Sequence, residues 1–268
     1  MNALFDTHCH FDSLENAKDQ IPRAYEQGVR GLNVIGCDLQ TTLLSVEIVE
    51  MINENREKLK VEDLIIGATM GLHPHDSKFL SEQKSDLEKI LEEKPNLITG
   101  IGETGFDFYY NHSSKEEQTI SFEWQLDLAK ATNKPLVIHT RDAWPETFEF
   151  LEKNGWPEKV VLHCFTGGAQ EAKRVVDNGG YVSISGIATF KNAQEVREAI
   201  AVIPLEKLLV ETDAPWLAPM PFRGKLNEPS YVQHVLEAVT RIRVEQCGEN
   251  RDQVEFALFE NAKHLFTG

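Results

Sequence analysis

Short apolar runs recur along this chain, and a longer amphipathic stretch follows nearly every one. Read as strands from their length and β-branched content, the runs cover residues 4–6, 31–35, 64–71, 97–102, 135–138, 160–162, 181–184 and 208–210. The stretches between them carry helical spacing, as at 43–55, 81–93, 115–132, 143–153, 169–177 and 193–200, with 231–246 and 253–266 closing the sequence. Eight strands, each followed by a helix, predict an α/β protein of the (β/α)8 TIM-type barrel class. No low-complexity linker divides the chain, so residues 1–268 are expected to form a single domain. In such a barrel the chemistry lies where strands end and loops begin.

Six of the nine histidines fall at those predicted strand ends. The first strand leads into His8 and His10, which an extended backbone projects to one side, and the third leads into His73-Pro74-His75. The fourth leads into Glu103, the fifth into His139 and Arg141, the sixth into His163, and the eighth into Glu211 and Asp213. Imidazoles favour zinc and similar first-row ions, carboxylates favour magnesium and manganese, and one carboxylate can bridge two cations. The pattern therefore predicts two or more divalent ions, Mg, Mn or Zn. His8, His10, Glu103 and Asp213 would hold one and Glu103, His139 and His163 another, with Asp213 accepting a proton from an activated water.

Composition narrows the rest. With 41% hydrophobic and 26% charged residues, the 268-residue chain is ordinary for a globular protein rather than a disordered one. No apolar run approaches membrane-spanning length and no signal-like segment opens the chain, so a cytoplasmic protein without a membrane partner is expected. The four cysteines lack CxxC spacing, which predicts reduced thiols rather than disulfides or a cysteine zinc knuckle. A net charge of -16 opposes broad attraction to nucleic acid. It leaves open a nucleic-acid substrate drawn to a local cation centre.

The chain resembles the TatD family of metal-dependent deoxyribonucleases within the amidohydrolase superfamily. The resemblance rests on Asp6-Thr7-His8-Cys9-His10, Gly71-Leu72-His73-Pro74-His75, Gly102-Glu103-Thr104-Gly105-Phe106-Asp107, Ile138-His139-Thr140-Arg141, His163-Cys164-Phe165-Thr166-Gly167, Glu211-Thr212-Asp213-Ala214-Pro215-Trp216 and Gly224-Lys225-Leu226-Asn227-Glu228-Pro229. These motifs keep family order across almost the whole sequence. The resemblance implies that His8, His10, Glu103, His139, His163 and Asp213 carry the metals, and that the substrate is single-stranded DNA trimmed from its 3' end. It differs at Asn111-His112, where many relatives would have a basic residue. Glu103 also stands where several amidohydrolases use a carboxylated lysine, which disfavours the phosphotriesterase and dihydroorotase branches.

Other residues keep two readings. His73 and His75 contact substrate or support the fold, and Pro74 lets them point apart. Arg141, Arg223 and Lys225 contact a phosphate backbone or remain solvated charges. Glu211 approaches a further cation or only orients a histidine. Phe106, Phe108, Tyr109 and Tyr110 offer base-stacking faces, although alternation sends at least half of them into the core. Asn227 is expected to begin the helix led by Pro229. No obligate protein partner is expected and a monomer is predicted. The same chemistry also fits an ester or amide hydrolase, such as a D-aminoacyl-tRNA deacylase, or a DNA-binding scaffold without catalysis.

Overall fold

Strands β1 (Leu4–Cys9), β2 (Val29–Val34), β3 (Ile65–Met70), β4 (Ile98–Asp107), β5 (Leu136–Arg141), β6 (Val160–Leu162), β7 (Tyr181–Ile184) and β8 (Leu208–Val210) pair in chain order in one parallel sheet. The computed structural model describes residues 3–268. Closure runs through a parallel bridge between Cys9 and Ala214, where Asp213 N donates to His8 O at 2.9 Å and His10 N to Ala214 O at 2.7 Å. The link that seals the barrel thus also brings the first predicted ligands beside the last.

Helices cover the outside of the sheet. They are α1 (Leu14–Glu26), α2 (Leu39–Glu54), the short α3 (Arg56–Leu59), α4 (Leu80–Glu93), α5 (Lys115–Thr132) and α6 (Trp144–Asn154). Next come α7 (Ala169–Asp177), α8 (Gln194–Val202), α9 (Val232–Cys247) and α10 (Arg251–Thr267). Helix α1 adds to the sequence reading: Pro22 lies inside it and masks the helical pattern, while Ser13 caps its start by accepting from Asn16 N. Among the described residues no helix is long and apolar enough to cross a membrane.

Three strands outrun their predicted ends: β1, expected over 4–6, runs on through His8 to Cys9. β4 continues through Glu103 to Asp107 and β5 through His139 to Arg141. Glycines at 100, 102 and 105 lower the apparent strand propensity of β4 and made Glu103 look like a loop residue. Gly102 and Gly105 have φ of 126° and 130°, and a Cβ at either would strike the β5 backbone at Val137 O or His139 O. These two glycines let β4 lie tight against β5 with Glu103 between them, at a break in the strand register.

Candidate metal centre

The Glu103 carboxylate is the meeting point. Its Oε1 lies 2.8 Å from both His139 Nδ1 and His163 Nε2 and 3.3 Å from His73 Nε2. Its Oε2 lies 3.3 Å from His8 Nε2 and 3.9 Å from His10 Nε2. Asp213 Oδ1 faces the same two rings, 3.6 Å from His10 and 3.9 Å from His8. All six residues expected to carry metals therefore converge, each delivered by a different strand end except the β1 pair. The triads His8–Glu103–His163, His8–His10–Asp213 and His73–Glu103–His139 each bring their donor atoms within 4.8 Å of one another.

The less certain residues separate cleanly. His73 joins the Glu103 cluster, while His75 turns to Asp107 with Nε2 2.9 Å from Oδ2, so Pro74 does send the two rings to different partners. Glu211 is fully buried behind His163: its Oε1 accepts from Cys164 N at 2.6 Å and lies 3.4 Å from His163 Nδ1. Cys164 has a left-handed φ of 43°, so this carboxylate fixes an otherwise costly turn and with it the His163 ring. Arg141, exposed at the mouth, stacks over Tyr109 and Tyr110 at 4.1 and 4.7 Å. Arg223 and Lys225 lie farther round the rim, on the loop after β8. Asn227 does not begin a helix. It is buried, with Nδ2 donating to Thr212 O and Trp216 O, and ties down the Asp213 loop, while Glu228 occupies the cap before Pro229. Phe106 is core and Phe108 packs on the core, whereas Tyr109 and Tyr110 are exposed.

Several contributors escaped the sequence reading. Asp107 holds His139 from behind, with Oδ2 3.2 Å from its Nε2, and also accepts from the backbone of Tyr109 and Tyr110. Its place four residues beyond Glu103, two alternations along an extended β4, was the available signal, hidden by ending that strand at 102. Cys37 Sγ sits 3.6 Å from Glu103 Oε2 and 3.8 Å from His10 Nδ1, and a lone cysteine announces nothing by spacing. Gln118 and Gln125 face inward from α5. Gln118 clasps the Asp107 backbone and Gln125 joins Leu72 to Thr104, bracing both sides of the site. Buried glutamines on an amphipathic helix were the clue.

Burial and charge set the protonation states. Burial opposes ionisation of Glu103, but His163, His73 and His139 outweigh it and hold its carboxyl well below the usual range. Burial likewise opposes Asp213, yet His10, His8 and His163 keep its carboxyl low. Burial lowers His73 to about 4, and burial together with His163 lowers His8, so both present neutral imidazoles. Against burial, Asp107 and Glu103 raise His139, and Glu103 and Glu211 raise His163.

These groups fit divalent cations. His8 Nε2 and His10 Nε2 approach to 3.0 Å, so at least one ring nitrogen brings a lone pair rather than a proton to their shared point. His8 and His163 stack at 3.9 Å, an arrangement that disfavours two imidazolium ions and leaves at least the His8 ring neutral. Above the cluster opens a cavity of about 970 Å³, walled by Cys37, Arg141, Trp144, Trp216 and Leu217 among others.

A parallel (β/α)8 barrel with histidines and carboxylates converging at the strand C-termini is the architecture of a metal-dependent hydrolase. A family model described as TatD related DNase matches residues 5–267, and the chain belongs to that family. It is 37% identical over 269 residues to YabD of Bacillus subtilis, with 98% of each chain covered, and 35% identical over 245 residues to YcfH of Escherichia coli K12, covering 87% of this chain and 86% of that one. Both carry the name uncharacterized metal-dependent hydrolase. The solved structure of YjjV, a TatD homologue from E. coli K12, superposes with a TM-score of 0.86 at 29% identity, covering 99% of this chain and 98% of that one. An organophosphorus hydrolase from Deinococcus radiodurans shares the fold at a TM-score of 0.63 and 13% identity, covering 94% of this chain and 83% of that one.

Proposed function

We propose that this protein hydrolyses phosphodiester bonds in DNA, trimming a single strand from its 3' end. The observation that carries the reading is the convergence of five imidazoles and the Asp213 carboxylate around Glu103 at the floor of an open cavity. His8, His10, Glu103 and Asp213 would hold one divalent cation, and Glu103, His139 and His163 would hold a second, with His73 beside the latter. Bound there, the cations supply Lewis acidity toward phosphate oxygens and make a nearby water easier to deprotonate.

The chain does the rest. Asp213 stays ionised and projects from a left-handed backbone at φ 58°, which places its carboxylate against His8 and His10 to accept the proton of the attacking water. Asp107 and Glu211 keep His139 and His163 from turning away. Arg141 matches a phosphate bidentately at the mouth, and Arg223 and Lys225 extend that contact along the rim. The large cavity suits a polymer end better than a small ester.

The test is a side-by-side assay of the protein, supplied in turn with Mg, Mn and Zn, on a 3'-labelled oligonucleotide and on a D-aminoacyl-tRNA. Loss of the 3' label with the tRNA ester left intact is expected. Deacylation with an untouched oligonucleotide assigns the site to ester hydrolysis, and silence on both substrates with every metal points to a binding protein.

A further inference from the structure

The main cavity does not end at the metal cluster. Thr166 and Ile187 line both it and an adjoining groove of about 500 Å³, which runs to Phe190 and Arg223. Within that groove the Arg223 guanidinium lies over the Phe190 ring, 4.4 Å from its centroid. On the other side of His163, around the rim, Arg141 lies over Tyr109 and Tyr110 in the same manner. Neither side chain makes a hydrogen bond or ion pair among the described residues, although most other arginines of this acidic chain do.

A guanidinium held against a ring keeps one face for a base and its N–H edge for a phosphate. Two such stations on adjoining cavities suit a single-stranded nucleic acid, whose unpaired bases offer faces for stacking. We propose, resting on the nuclease reading above, that the terminal nucleotide enters the main cavity beside Arg141. The strand then leaves along the Ile187 groove, and Phe190 and Arg223 hold a nucleotide two or three positions from the end. Glu195 lines the same groove. Its carboxylate opposes a purely electrostatic grip, so stacking supplies most of the hold, and log K falls with log salt no more steeply than a slope of about -2, the release expected from Arg141, Arg223 and Lys225 together.

Oligothymidylates of two, four and eight nucleotides test this. For the wild-type protein kcat/KM rises about tenfold from the dinucleotide to the tetranucleotide. Phe190→Ala and Arg223→Gln each cut that advantage to about twofold. Phe190→Leu, which keeps apolar bulk but removes the ring face, behaves like Phe190→Ala and guards against a folding defect. In parallel, anisotropy of a fluorescein-labelled tetranucleotide on Asp213→Asn protein shows a Kd about tenfold weaker once Phe190→Ala is added. An unchanged length advantage and an unchanged Kd in these variants overturn the groove. If the wild-type protein cleaves no oligonucleotide, the nuclease reading falls, and the anisotropy result alone decides whether the groove binds a strand.

Discussion

On β5, Val137 faces the closed end of the barrel, and two residues on His139 faces the open one; β6 repeats the arrangement with Val161 and His163. On β1 Phe5 lies below and His8 above, and β8 sets Leu209 below Glu211. The same strands therefore build two opposite interiors. At the closed end Phe5, Val137, Val161 and Leu209 pack against Ala262, Leu265 and Phe266 of α10, which plugs the barrel. At the open end the converging side chains are imidazoles and carboxylates, and each needs a partner to be buried at all. The apolar end carries stability with no chemistry, and the polar end carries chemistry held by hydrogen bonds from behind. Changes at one end should leave the other largely intact.

The sharpest way to break that division is at the open end. Asp213→Asn should lower turnover about 10³-fold, since asparagine keeps the shape and tolerates the left-handed backbone but cannot accept the proton. The melting temperature should stay within a few degrees of wild type. A large drop in melting temperature would mean that the polar cluster also carries the fold.

Next comes the reverse experiment. Phe5→Ala empties a ring that stacks toward Phe266 and fits only because Gly31 lies opposite it. It should cost about 3 to 5 kcal/mol and lower the melting temperature by roughly 10 °C. Metal affinity of the folded variant, measured by calorimetry, should match wild type; a matching loss would couple the two ends.

A smaller effect separates holding a cation from orienting its ligands. Asp107→Asn leaves every Glu103 contact in place but weakens the support of His139. It should reduce metal affinity about 10- to 100-fold, read by competition with a chelating dye. Unchanged affinity would reduce Asp107 to a support for the Tyr109–Tyr110 turn.

The pH dependence is the mildest prediction. Without a cation, His139 and His163 titrate above 6.5 because carboxylates face them, so their stabilising charge is complete below 6.5 and fades as pH rises through the folded values. His73, lowered to about 4, works the other way: its contribution is present above 6.5 and is lost as pH falls toward 4. A cation needs the neutral rings and displaces protons at low pH. Added manganese should therefore raise the melting temperature several degrees more at pH 8 than at pH 6. An equal rise at both would show that these imidazoles are not its ligands.

The strand and helix alternation was legible in the sequence because both periodicities are local, and the six expected ligands were legible because they cluster after apolar runs. Less visible was what depends on register and depth. Asp107 and Arg141 lie inside strands that glycine and polar residues disguised as loops, and Gln118 and Gln125 look like ordinary helix surface until α5 is placed against β4. Phe190 follows a short 3₁₀ turn, where no period marks it, and only the shared groove ties it to the centre. Asn227 misled because a cap and a buried loop clasp use the same side chain.

The central claim is that Glu103 bridges two cations at the open end. Anomalous diffraction from crystals soaked in manganese tests it most directly. Two peaks ~3.5 to 4 Å apart, with the Glu103 carboxylate between them, His8, His10 and Asp213 on one and His139 and His163 on the other, are the expected result. A single peak, or peaks that do not touch Glu103, would contradict it.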